Sequence, residues 1–127
     1  MAHRSRLTAV LVDVPEVDRD AAVAFWCAAL GRPAQPADTL SEYTEFGQPV
    51  PGVAFMVQAV GDPAPRVHFD IETDDVDAEV RRLVALGATE VERIHSWVVM
   101  RDPAGVTFCV VRVQLPEAFE SGATTWE

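Results

Sequence analysis

The 127-residue chain has room for one domain with one core, and with 49% of its residues apolar it can bury one. A formal charge of −10 argues against duplex nucleic acid, because holding phosphates needs clustered Lys and Arg; it suits solubility or a cationic ligand. No apolar run approaches the roughly 20 residues of a membrane span, and the run after Met-Ala-His-Arg-Ser-Arg is too short for a secretory signal, so a cytoplasmic protein is expected.

In chain order, Val10-Leu11-Val12-Asp13-Val14 is an apolar, β-branched run that reads as a strand carrying one Asp. A helix opens near Asp18 and ends at Gly31-Arg32-Pro33. Strands follow, their start blurred by Pro33 and Pro36, and the turn Pro49-Val50-Pro51-Gly52 leads into Val53-Ala54-Phe55-Met56-Val57. A second cycle starts at Val67-His68-Phe69-Asp70-Ile71. Asp74 or Asp75 can cap the next helix, whose Val76, Val80, Leu83 and Val84 fall on one face, and Gly87 supplies a left-handed end. More strands lead through Asp102-Pro103-Ala104-Gly105 to Val106-Thr107-Phe108-Cys109-Val110. Cys27, inside the first helix, and Cys109, inside the last of these strands, read as buried free thiols of a reducing compartment.

The two cycles are copies. Val10–Val14 aligns with Val67–Ile71, Asp18-Arg19-Asp20-Ala21 with Asp75-Val76-Asp77-Ala78, Ala29-Leu30-Gly31 with Ala85-Leu86-Gly87, and Gly52–Val57 with Gly105–Val110. Matches in one order at nearly constant offset indicate a duplicated unit. The expected architecture is α+β, a single domain over 1–127. It divides into one βαβββ module at about 6–60, a second at about 65–113, and a tail at 114–127.

The chain resembles the vicinal oxygen chelate superfamily, which includes glyoxalase I, extradiol dioxygenases and bleomycin-resistance-type proteins, and within it the actinobacterial glyoxalase-like branch. The carriers are Phe25-Trp26 with Ala29-Leu30-Gly31, the Arg66-Val67-His68-Phe69-Asp70 strand, Leu86-Gly87-Ala88, and Trp97 leading to Asp102-Pro103-Ala104-Gly105 and Phe108-Cys109-Val110-Val111. The resemblance spans roughly residues 6 to 113. It implies a curved mixed sheet with helices on the convex side and a small organic molecule in the trough. Strand parity agrees: with Val67, Phe69, Ile71, Phe108 and Val110 toward the helices, His68, Asp70, Thr107, Cys109 and Val111 face the trough.

Metal-dependent relatives hold a divalent ion with four side chains, usually His and Glu. Those positions correspond here to Leu11, Met56, His68 and Cys109, of which only His68 keeps a ligand of the expected kind, so no metal and no cofactor is expected. Asp13 and Asp70, equivalent in the two copies, would approach each other as in relatives. They either form an acidic pair with one raised pKa or simply accept hydrogen bonds from backbone and Arg side chains. The expected ligand-binding residues are Asp13, Met56, Gln58, His68, Asp70, Trp97, Thr107 and Cys109, with His68 and Asp70 the candidates for catalysis. Tyr43, Phe46 and Phe55 add aromatic surface, Phe55 on the helix side by analogy with Phe108. His3 and His95 are expected on the surface. The first functional reading is a metal-independent binding protein of the resistance or sequestration kind. The second is a lyase, isomerase or dehydratase moving protons with His68 and Asp70; a metal-dependent glyoxalase or dioxygenase relative is the third. Neither nucleic acid nor membrane is an expected partner, and a homodimer is, as in relatives. Phe119 and Trp126 in the tail belong either to a docked end or to an arm that grips a second subunit.

Overall fold

A computed structural model describes residues 2–38, 40–61 and 65–127. The chain runs β1 (His3–Pro15), a 3-10 turn (Glu16–Asp18), α1 (Arg19–Leu30), β2 (Gln35–Pro36), β3 (Tyr43–Glu45), β4 (Ala54–Val60) and β5 (Arg66–Thr73). It continues through α2 (Val76–Ala85), β6 (Thr89–Ile94), β7 (Trp97–Arg101), β8 (Thr107–Arg112), α3 (Pro116–Gly122) and β9 (Thr124–Trp126). The class is α+β, and both copies read strand, helix, three strands, as the duplication predicts. The residues form two compact units, the first Ala9–His68 and the second Met1–Thr8 with Phe69–Glu127.

In the first unit the strand order is β2-β3-β4-β1, with β1 and β4 parallel and the other pairs antiparallel. Parallel pairing of β1 and β4 requires a crossover, which α1 provides. That helix stops where Gly31 takes φ 64, a left-handed conformation that costs glycine no Cβ clash. One face of the strands packs on α1: Val14, Phe46 and Val57 are buried, with Val12, Ala22, Val23, Trp26, Cys27 and Phe55 around them. Phe55 meets Phe46 edge-on at 5.5 Å and Trp26 at 5.2 Å, so it lies on the helix side as expected.

In the second unit β5, β8, β7 and β6 follow in that order, β5 and β8 parallel around α2. Asp75 caps α2, its carboxylate accepting from the Ala78 N–H at 3.0 Å. Val80, Val98, Met100, Phe108 and Val110 form the core, with Ile71, Val76, Leu83 and Ala88 against it. The Asp102 turn is held by its own carboxylate, which accepts from the N–H groups of Ala104 and Val106, both at 2.8 Å.

At the ends of the chain one expectation needs correcting, and of the two readings of the tail the docked end describes its contacts. His3 is not a surface residue: it is 7% exposed on β1, and its Nε2 lies 2.8 Å from Glu79 Oε1 on α2. Glu79 is wholly buried and is forked by Arg82 through Nε and Nη2, each at 2.8 Å. The tail, in turn, docks on its own unit. β9 pairs antiparallel with His3–Ser5, the Trp126 indole N–H donates to Ser5 Oγ at 2.9 Å, and the Arg82 guanidinium lies 3.8 Å over the Trp126 ring. Phe119 is 2% exposed, and Glu72 Oε1 accepts the N–H groups of Gln114 at 2.6 Å and Leu115 at 3.0 Å. Both tail aromatics are thus used within the chain. His95 does sit outside, at the β6–β7 turn with φ 51.

Candidate functional site

Strand parity decides which side chains occupy the face of the first unit opposite α1. Val12, Val14 and Val57 point into the helix-side core, so Leu11, Asp13, Met56 and Gln58 point the other way. Register aligns three of the polar side chains in a row across β3, β4 and β1, with Tyr43 opposite Gln58 and Gln58 opposite Asp13. The Gln58 amide donates to Tyr43 Oη at 3.1 Å. On the β5 side, His68 Nδ1 lies 2.6 Å from Asp13 Oδ2, and Arg66 Nε donates to the same oxygen at 3.3 Å.

The centre of this cluster is nearly closed to solvent, Asp13 at 1% and His68 at 5% exposed, while the Arg66 side chain stays 42% exposed. A buried carboxylate needs compensation, and Arg66 supplies a formal charge while His68 supplies a short charge-assisted hydrogen bond. An ionised carboxylate can only accept, so with Asp13 ionised His68 donates from Nδ1, and Nε2 is the ring nitrogen whose proton can come and go. The arrangement is an imidazole oriented by a carboxylate. Of the two sequence-based readings of Asp13, the one in which it accepts from an Arg side chain describes its contacts at Oδ2, and His68 adds the partner that neither reading named. Arg66 was missed as a member of the site. The signal was present: it precedes His68 by two residues and therefore shares its face of β5.

In the second unit Ile71, Phe108 and Val110 pack on α2, which leaves Asp70, Thr107 and Cys109 on the opposite face. Asp70 is the register partner of Cys109, and Cys109 also faces Val99 on β7. Val98 and Met100 are fully buried in the helix-side core, so Trp97 and Val99 alternate to the other face, the Trp97 ring 5.6 Å from that of His95. Two depressions on this unit are lined by other residues. One, of about 570 Å³, lies among Thr73, the start of α2, the β6–β7 turn and Arg112. The second, of about 370 Å³, is an apolar groove between Phe69, Leu83, Leu86 and Val106.

The donor set does not fit the divalent ion of metal-dependent relatives. Leu11, 1% exposed, is a hydrocarbon, and the Met56 thioether is a poor match for a hard cation. His68 and Asp70, two apart on β5, and Cys109 are the donor-bearing residues that remain, and the hydrogen bond from Asp13 to His68 Nδ1 leaves Nε2 as the ring atom that could ligate. The four ligands expected of a structural zinc site are not assembled by the four inherited positions.

A family model described as "Glyoxalase-like domain" matches residues 9–111. No curated protein matches the sequence. Among solved structures, the chain is similar to methylmalonyl-CoA epimerase from Mycobacterium tuberculosis, at 20% identity over 88% of this chain and 90% of that one, with a TM-score of 0.57. A Streptomyces coelicolor methylmalonyl-CoA epimerase in complex with 2-nitronate-propionyl-CoA aligns at 18% identity over 86% and 98%, TM-score 0.56. A hypothetical protein from Bacillus halodurans aligns at 8% identity over 87% and 95%, TM-score 0.64. At these identities the likeness is one of fold.

Proposed function

The chain belongs to the glyoxalase-like domain family of the vicinal oxygen chelate superfamily, and we propose that it binds a small organic molecule and moves a proton on it without a metal. The observation that carries this reading is the buried Asp13–His68 dyad on the face opposite α1. With Nδ1 held by Asp13, the His68 Nε2 lone pair is the basic atom, and Arg66 keeps the charge of the dyad compensated. Removal of a proton next to a carbonyl and its return on the same or a neighbouring atom is the chemistry of an isomerase or lyase. Asp70, two residues along β5, is the second proton-transfer candidate. Two epimerases among the structural neighbours make acyl thioesters sensible first probes.

The reading is tested by exchange. Methylmalonyl-CoA and a panel of other acyl-CoA and 2-oxo acids are incubated with the protein in D₂O and weighed by mass spectrometry. At least one compound should gain one deuterium; His68→Ala should abolish the gain and Asp13→Asn should slow it about 10²-fold or more. Exchange unchanged in His68→Ala would refute the assignment. A sequestering protein is the second reading, favoured by how deeply His68 is buried. It predicts a ligand that co-purifies and is released unaltered. We further propose a cytoplasmic homodimer; light scattering reads the oligomeric state directly.

A further inference from the structure

Among the described residues one oxygen of the dyad has no donor. Asp13 Oδ2 receives both His68 and Arg66, yet Asp13 Oδ1, equally buried, receives no hydrogen bond. Buried carboxylate oxygens are expected to find donors, and one that does not calls for a physical cause. A donor stands one strand away, since Gln58 is the register partner of Asp13. Its amide is directed at Tyr43 Oη instead. Gln58 lies on the β4 side of Asp13 and is turned to Tyr43, and Arg66 donates to Oδ2, which leaves Oδ1 without either.

Resting on the proposed ligand face, we infer that the ligand itself supplies the missing donor, so its class is a molecule bearing a primary ammonium or hydroxyl. Oδ1 is itself buried, so the donor has to be compact. A primary amine or hydroxyl reaches it once the half-buried Gln58 side chain, held by its hydrogen bond to Tyr43, turns aside. A dimethylated amine is too bulky, and a carboxylate meets the like charge of Asp13. The ligand's donor thereby anchors on the same carboxylate that orients His68, which fixes the rest of the molecule relative to the base.

The test uses four matched probes on the ¹⁵N-labelled full chain: benzylamine, benzyl alcohol, N,N-dimethylbenzylamine and benzoate. Benzylamine and benzyl alcohol are expected to shift the amides of Asp13, Tyr43 and Gln58 and to bind about ten-fold or more tighter than the other two. Asp13→Asn, which exchanges one acceptor for a donor, should erase that preference. The wild-type ranking stands by itself if the variant does not fold. Shifts at these amides that ignore the donor would overturn the inference and leave the ligand face intact, with a trapped water satisfying Oδ1. Absence of any shift from all four probes removes the ligand face and the inference together.

Discussion

Replacing Glu79 with Gln tests whether the buried polar knot under β1 stabilises the second unit. Glu79 is fully buried and accepts Arg82 twice and His3 once, each at 2.8 Å, while Trp126 closes the group through Ser5 and the Arg82 guanidinium. Glu79→Gln keeps the shape, removes the charge and sets an NH₂ against a donor from Arg82 or His3. Breaking a buried charged pair from one side costs about 3–5 kcal/mol. Arg82 is 24% exposed and recovers some water, which places the expected loss near the lower end, about 3 kcal/mol. For a domain of this size that is a fall in Tm of roughly 10 °C.

The same variant should change acid stability. Burial by itself would raise the Glu79 carboxyl, but hydrogen bonds from Arg82, His3 and Ser5 and the Arg82 charge outweigh it and hold the pKa below the ordinary 4.5. A carboxyl depressed on folding contributes stability that is complete above its unfolded value and is lost as pH falls through its folded value. Urea unfolding of the wild type should therefore weaken steadily below pH 4.5, and Glu79→Gln should lack that part of the slope. A variant within about 1 kcal/mol of wild type at pH 7, with an unaltered acid slope, would refute the reasoning.

Other perturbations probe separate parts of the structure. Phe119→Ala empties a site 2% exposed and should cost about 3 kcal/mol by urea unfolding; a loss under 1 kcal/mol would mean that the tail is not docked. Gly31→Ala places a Cβ where no heavy atom lies within 4 Å, so only the left-handed backbone is penalised, by about 1 kcal/mol, and a larger loss would point to a clash. Elemental analysis of the purified protein should find well under one equivalent of zinc, nickel, manganese or iron. Stoichiometric metal that disappears in His68→Ala or Cys109→Ser would overturn the metal-free reading.

The duplication, the module pattern and the faces of the strands were legible in the sequence because each is a local property. Asp75 and Gly31 punctuate helices through contacts within a few residues, and alternation along β5 places Phe69 and Ile71 opposite His68 and Asp70 without reference to any other strand. The tertiary structure decided which side chains on a given face become partners. Asp13 and His68 are 55 positions apart and His3 and Glu79 are 76 apart, and their meeting depends on strand order and register, which a period of two residues does not encode. For the same reason His3, charged or polar and near the start of the chain, reads as surface until a second element is laid beside it. Burial then follows from the carboxylate it meets.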